Sequence, residues 1–160
     1  MQSRNKIIDQ NEAGKLIARW KDGDKKIVFT NGCFDILHVG HLDYLEASRN
    51  LGDRLVVGVN TDDSIRRLKG AGRPINDAYA RTRMLAALSF VDAVILFDED
   101  TPYDLIGLVK PDILVKGDDY LTENIVGADI VMKEGGEVKT LPFTQGYSTS
   151  SIIERIKRSN

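Results

Sequence analysis

The chain has 160 residues, of which 42% are hydrophobic and 29% charged, and its formal net charge is −2. These values are typical of one globular domain with a sizeable core, and they exclude a nucleic-acid surface or a polybasic membrane patch as the expected partner. No apolar run approaches the roughly 20 residues of a membrane-spanning helix, and no apolar signal core follows the first six residues. The single cysteine, Cys33, cannot form an internal disulfide, which favours a reducing, cytoplasmic setting.

The first half of the chain alternates helical and strand patterns. Residues 9–21 have helical spacing and predict an amphipathic helix that ends at a turn at 22–24. A strand at about 26–31 follows, then a glycine-bearing turn, then a helix to about residue 51. The apolar run at 54–60 predicts a central parallel strand, after which Thr61 can cap a short helix. A basic loop at 66–74 precedes a helix from 78 to about 89.

The second half continues the alternation, with strands predicted at 93–97, 112–116 and 137–141. The acidic stretch from 98, with Pro102 at the first helical position, predicts a helix start. A helix at 124–133 and a final helix opened by Ser148 complete the pattern. The alternation predicts an α/β fold with a doubly wound parallel sheet of five strands. Residues 1–160 are predicted to form one domain, with 1–23 as an N-terminal helical segment packed on it.

Four loops of this predicted sheet carry the residues that stand out in the chain. In doubly wound sheets the ligand lies beyond the carboxyl ends of the strands. The loops after the first, second, fourth and fifth strands, which begin at 32, 61, 117 and 143, should therefore share one edge. That edge is the predicted binding site.

Both histidines of the chain, His38 and His41, lie in the first of these loops, at a strand-to-helix turn. Imidazoles beside a helix N-terminus can hydrogen-bond phosphates and the bridging oxygen of a departing pyrophosphate, which predicts a polyphosphate cradle. Two alternatives remain open: histidines that merely cap a surface helix, or a zinc hydrolase site with Asp35 as third ligand. Gly40 disfavours zinc because it intervenes where a rigid ligand frame is expected. A nucleotide-sensing module without catalysis is a further alternative.

Several other residues have two interpretations. Cys33 is better explained as a small residue at the end of a strand than as a nucleophile, since no group to orient a histidine is evident. Asp35 either fixes the turn through backbone N–H groups or orients a ligand or Mg²⁺. Lys69, among basic and glycine neighbours, either belongs to a solvated loop or, as the mixture of cations and glycines favours, to a mobile phosphate clamp. Arg81 alone is typical of a helix-surface charge, and Ser148 opens a helix whose N-terminus suits a second phosphate.

The segment Gly32-x-Phe34-Asp35-x-Leu37-His38-x-Gly40-His41 resembles the signature of the HxGH nucleotidyltransferases. These enzymes join a phosphate-bearing substrate to the nucleotidyl group of a nucleoside triphosphate and release pyrophosphate. Further similarity runs in order through Thr61-Asp62, Arg66 to Lys69, Arg73 to Asn76, Arg81, Val91-Asp92, Lys116 to Tyr120 and Gly146 to Thr149. Together they resemble one branch of the cytidylyltransferase-like family, the bacterial heptose 1-phosphate adenylyltransferases, in the form that is not fused to a sugar kinase.

The resemblance implies a Rossmann-like nucleotidyltransferase fold, a homodimer, and Mg²⁺ accompanying ATP. It implies transfer of AMP to D-glycero-D-manno-heptose 1-phosphate, which gives an ADP-heptose for the lipopolysaccharide core. The catalytic residues it implies are His38, His41, Lys69 and Arg81. The nucleotide-binding residues it implies are Asn31, Gly32, Cys33, Phe34, Gly40, Gly117, Gly146, Tyr147, Ser148 and Thr149. The substrate-binding residues it implies are Asp35, Asp62, Arg73 and Asp119.

Glycerol 3-phosphate cytidylyltransferases are the nearest alternative within the same family. They usually carry an arginine close to where this chain has Phe143. This difference, together with the segments 73–76 and 116–120, favours the sugar branch. That branch more usually has a glycine where this chain has Asp118.

Overall fold

The computed structural model describes residues 2–118 and 121–159. The strands are β1 (Ile27–Gly32), β2 (Arg54–Asn60), β3 (Ala93–Phe97), β4 (Ile113–Gly117) and β5 (Glu137–Leu141). They form one sheet in the order β3-β2-β1-β4-β5, and every strand pair is parallel. The predicted five-stranded parallel sheet is therefore confirmed.

The helices that surround the sheet are α1 (Gln10–Asp22), α2 (Val39–Arg49), α3 (Asp62–Lys69), α4 (Ala78–Ala87), α5 (Tyr103–Val109), α6 (Ala128–Lys133) and α7 (Thr149–Arg158). Short 3₁₀ turns occupy Ser3–Lys6 and Thr122–Asn124. No helix in the described parts of the chain is long and apolar enough to cross a membrane.

Helices cover both faces of the sheet, which makes it doubly wound as predicted. On one face, α1, α5 and α6 pack on a core that includes Phe29 and Ile95. On the other face, α2 and α4 pack on a core that includes Val57 and Val115. The strands read as near-continuous apolar runs because both of their faces are buried.

Two helices begin later than the sequence predicts. Helix α5 begins at Tyr103 with Pro102 in the N-cap position, so the acidic residues before it are not helical. Instead, Asp98 and Asp100 accept hydrogen bonds from Thr61 and Arg67 near α3. Helix α6 begins at Ala128 rather than 124, because Gly127 adopts a left-handed conformation with φ 86°.

The helix starts next to the carboxyl edge of the sheet have different caps. The side chain of Thr61 accepts a hydrogen bond from the Ser64 N–H at the start of α3, and Ser148 does the same for α7 through the Ser151 N–H. Both caps agree with the sequence pattern. At the start of α2 the N-cap residue is His38, whose side chain makes no capping hydrogen bond within the described chain.

Candidate active site

A cleft of about 630 Å³ lies at the carboxyl ends of β1 and β4. Its walls come from the end of β1 and the loop after it, the start of α2, the end of α3 with the segment that follows it, the end of β4, and the loop after β5 with the start of α7. The predicted site residues that line it are Asn31, Gly32, Cys33, Phe34, Asp35, His38, Gly40, His41, Lys69, Arg73, Gly117, Tyr147, Ser148 and Thr149. Among the described residues, Asp62, Arg81 and Gly146 are predicted site residues that do not line it. The predicted Asp119 lies outside the described residues.

The two imidazoles of the cleft stack on each other. The ring centroids of His38 and His41 are 3.9 Å apart with an interplanar angle of 27°. The ring of Phe34 meets His41 edge-on at 5.4 Å. A Cβ on Gly40 would lie 3.0 Å from the His38 ring, so a glycine is needed to let the ring lie against the first turn of α2. Packing, rather than hydrogen bonding, therefore fixes the rings.

The same imidazoles have unused hydrogen-bonding atoms. Within residues 2–118 and 121–159, Nδ1 of His38, Nδ1 of His41 and Oδ1 of Asn31 are buried without a partner. A buried polar atom without a partner is costly, so such atoms in a cleft are suited to a ligand. At the start of α2 the His41 N–H donates to the carbonyl of His38 at 2.9 Å, and the N–H groups of the two residues before it have no acceptor within the helix.

Both histidines are neutral at pH 7. Burial lowers the pKa of His38 below its ordinary value of 6.5. Burial lowers the pKa of His41 to about 4, helped by repulsion from His38, once that ring is protonated, and from Lys69. A neutral imidazole donates at one ring nitrogen and accepts at the other. A phosphate beside these rings would favour the charged form and raise both pKa values.

Asp35 lines the cleft, but both of its carboxylate oxygens are engaged in anchoring the segment 73–76. Its carboxylate accepts hydrogen bonds from the Ile75 and Asn76 N–H groups and, at 2.7 Å, from Nε of Arg73. Burial would raise the pKa of the Asp35 carboxyl, but these backbone hydrogen bonds and Arg73 more than offset it and hold the pKa below its usual value. Of the two interpretations of Asp35, the structure supports the backbone-fixing one, although the backbone it fixes is 40 residues away.

Arg81 is not a helix-surface charge, so that prediction is wrong. Its side chain is fully buried. The guanidinium donates to Asp62 at 2.8 Å, to the carbonyl of Cys33 at 2.8 Å and to the carbonyl of Asn76 at 3.1 Å. It therefore ties the end of β1, the segment 73–76 and the start of α3 together behind the cleft. Arg81 lies on the buried face of α4 together with Thr82, Leu85 and Ala86. The sequence alone favoured a surface position because an arginine is rarely buried unless it is paired, and its partners here are distant in sequence.

Only part of the basic loop reaches the cleft. Arg66 pairs with Asp63 at 2.6 Å and Arg67 with Asp100 at 3.0 Å, both on the outer surface. Lys69 lies exposed at the last position of α3 and lines the cleft with Arg73. The positive charge available to a ligand on this side comes from these two residues.

The start of α7 faces the start of α2 across the cleft. The hydroxyl of Thr149 donates to the carbonyl of Ile36 at 3.2 Å. Tyr147 approaches Gly40 so closely that a Cβ there would lie 3.5 Å from Cβ of Tyr147. Two helix N-termini, each favourable to anions, thus meet at the histidine pair.

Some lining residues were not predicted as site residues: Tyr44, Lys116, Phe143, Thr144 and Ser150. Tyr44 follows His41 by three positions on α2, so helical spacing places the two side chains on one face. Phe143 and Thr144 lie in the loop after β5, and Lys116 lies at the end of β4, where the strand-end rule indicates a site. That rule could have found these three residues.

The described residues offer no ready-made metal cage. Across residues 2–118 and 121–159, no group of three or more His, Cys, Asp or Glu side chains is placed to hold a metal ion. Asp35, the third ligand in the zinc alternative, is occupied by Arg73 and two backbone N–H groups. The geometry therefore favours the phosphate cradle over the zinc site.

A parallel sheet whose first strand leads into a histidine-bearing helix start, with a second helix start opposite, is the arrangement of a nucleotidyltransferase. Residues 29–155 match the family model described as cytidylyltransferase-like. The chain therefore belongs to the cytidylyltransferase-like family.

Curated relatives agree with this assignment. The chain is 51% identical, over 94% of its length, to the bifunctional protein HldE of Koribacter versatilis. It is 57% identical, over 89% of its length, to the bifunctional protein HldE of Campylobacter jejuni. The chain spans only about 31% and 30% of the lengths of these two relatives.

Solved structures share the fold. The lipopolysaccharide core biosynthesis protein from Thermoplasma volcanium is 35% identical, with a TM-score of 0.60 over 78% of this chain and 99% of that chain. Pantothenate synthetase from Thermus thermophilus is 18% identical, with a TM-score of 0.63 over 96% of this chain and 70% of that chain. At that identity the second structure supports the Rossmann-like fold alone.

Proposed function

We propose that the chain transfers AMP from ATP to D-glycero-D-manno-heptose 1-phosphate, giving an ADP-heptose and pyrophosphate. The observation that carries the proposal is the stacked pair of imidazoles, whose buried Nδ1 atoms have no partner in the described chain, between two helix N-termini. The motif resemblance supplies the heptose substrate. The HldE relatives and the lipopolysaccharide core protein of Thermoplasma volcanium support it.

The proposed reaction is an in-line displacement at the α-phosphorus. An oxygen of the sugar phosphate attacks this phosphorus, and the bond to the bridging oxygen of the leaving pyrophosphate breaks. His38 and His41 donate hydrogen bonds to the triphosphate as charge develops on that bridging oxygen. Lys69 and Arg73, which line the cleft on the side of β1 where β2 lies, attract the acceptor phosphate. Catalysis is then positioning and charge stabilisation, with no covalent intermediate.

We propose that Mg²⁺ arrives bound to the phosphates of ATP. Magnesium sites of this kind take phosphate oxygens and waters with one or two carboxylates, so a cage of protein ligands is not required. The fit is consistent with the described residues, which form no cluster of three acidic or histidine ligands. The ion would neutralise charge on the triphosphate.

The remaining assignments are also proposals. We propose that residues 1–160 act as one domain, that the enzyme forms a homodimer, and that it works in the cytoplasm on small-molecule substrates. The support for the dimer is the family resemblance. Light scattering coupled to size-exclusion chromatography measures the oligomeric state directly.

The test is a matrix of ATP, CTP, GTP and UTP against heptose 1-phosphate, glucose 1-phosphate and glycerol 3-phosphate, scored by pyrophosphate release. We expect the highest kcat/KM for ATP with the heptose phosphate. Preference for CTP with glycerol 3-phosphate would contradict the proposal and identify the protein as a glycerol 3-phosphate cytidylyltransferase instead. ATP binding without turnover of any acceptor would indicate a nucleotide-sensing module.

A further inference from the structure

The two ends of the cleft differ in chemistry. In the sheet order, β2 lies on one side of β1, and β4 and β5 lie on the other. The β2 side contributes the cations Lys69 and Arg73, while the other side contributes Phe143 from the loop after β5 and one cation, Lys116, from the end of β4. The histidine pair follows β1 and lies between them. Among the described residues, a ligand that spans the cleft thus meets two cations at one end and an aromatic ring beside a single cation at the other.

Phe143 is held in place yet exposed. Its ring packs on the Cα of Gly117, where any Cβ would collide with it. It pairs with the ring of Tyr44 at 6.2 Å and an interplanar angle of 27°, and the Tyr44 hydroxyl is bonded to Thr30 at 2.8 Å. Nevertheless 55% of Phe143 is exposed. The ring therefore has support from the end of β4 and from α2, while the residue as a whole stays more than half exposed and lines the cleft.

The parts of the two substrates can be assigned by their chemistry. The triphosphate belongs at the histidines and helix starts, and the acceptor phosphate belongs with Lys69 and Arg73. The nucleoside base is uncharged and planar, and it stacks favourably on aromatic rings. The other well-exposed cleft aromatic, Tyr147, stands beside Gly40 at the start of α2, next to the phosphate position.

We propose that Phe143 is the platform on which the base of the nucleotide stacks, and that Gly117 is a glycine because the platform needs its space. This inference rests on the proposed function only in taking a nucleoside triphosphate as the ligand. It makes Phe143 a determinant of nucleotide affinity that acts on the base alone. The phosphates are bound independently of it.

The experiment compares dissociation constants for MgATP and for magnesium tripolyphosphate, which lacks base and ribose, by isothermal titration calorimetry. Phe143→Ala should weaken ATP about tenfold and leave tripolyphosphate within about twofold of the unaltered protein. Phe143→Leu keeps apolar volume without a ring and should weaken ATP nearly as much, whereas Phe143→Trp should retain affinity. Tyr103→Leu, which removes an exposed ring outside the cleft, is the matched control and should change neither constant.

A second variant tests the support of the ring. Gly117→Ala keeps the phenyl group but displaces it, so it should also weaken ATP more than tripolyphosphate. Equal affinities for ATP in all Phe143 variants, or parallel losses for ATP and tripolyphosphate, would overturn the inference. A change confined to a higher KM for the sugar phosphate would also overturn it. Failure of the proposed function would be seen separately, because the pyrophosphate assay uses only the unaltered protein.

Discussion

At the scale of single residues, His38 and His41 owe their properties to what surrounds them. Stacking and burial hold the rings, and no protein acceptor in the described chain meets their Nδ1 atoms. The cost of leaving these atoms unpaired falls on the free protein and is relieved when a ligand binds. A ligand with several oxygen acceptors, such as a triphosphate, satisfies both rings at once.

The titration of the histidines is the first prediction. With two histidines in the chain, imidazole NMR signals are directly assignable by substitution. We expect His41 to half-titrate near pH 4 and His38 below 6.5. The unfolded chain takes up protons near pH 6.5 and the folded chain does not, so the free energy of unfolding should fall as the pH drops from 6.5 toward 4. A His41 midpoint at or above 6.5 would show that the ring is not desolvated.

Arg81 gives a second prediction. Arg81→Met removes a buried guanidinium that donates to Asp62, Cys33 and Asn76, so the free energy of unfolding should fall by about 3 kcal/mol in urea titrations. Arg66→Met, which breaks an exposed pair with Asp63, is the control and should cost under about 0.5 kcal/mol. Full stability of Arg81→Met combined with lost turnover would instead favour direct contact with the phosphates.

At the scale of elements, the cleft depends on loops that are tied to one another. Asp35, just after β1, holds the segment 73–76, and Arg81 on α4 holds the same segment from behind. Thr149 ties α7 to the histidine loop, and the Thr144 hydroxyl donates to Asp43 on α2 at 2.9 Å. The strands set where each loop leaves the sheet, and these hydrogen bonds set how the loops meet.

The third prediction concerns the segment 73–76. Asp35→Asn keeps the shape but removes the charge that faces Arg73 and an acceptor for two backbone N–H groups. Amide hydrogen exchange at Ile75 and Asn76 should accelerate by at least about tenfold. Asp63→Asn, which alters an exposed pair on α3, should leave both amides unchanged. Unchanged protection in Asp35→Asn would mean that other contacts hold the segment.

At the scale of the whole molecule, periodicity predicts the sheet well because buried parallel strands are apolar on both faces. The strand-end rule likewise places the loops of the site. Periodicity does not predict interactions between residues that are distant in sequence. Asp35 contacts Ile75, 40 positions away, and Arg81 contacts Cys33, 48 positions away. Local spacing contains no information about such pairs, so the role of Asp35 stayed open and the burial of Arg81 was missed.

The most direct measurement is the turnover of His38→Ala and His41→Ala with ATP and heptose 1-phosphate, taken beside their unfolding free energies. The paired imidazoles act on the triphosphate, so each variant should lose about 100-fold or more in kcat. Both should stay within about 1 kcal/mol of the unaltered stability, since the two side chains are only part-buried, line the open cleft and have no protein partner at Nδ1 in the described chain. Two variants that remain folded and keep turnover within a few-fold of the unaltered enzyme would contradict the account.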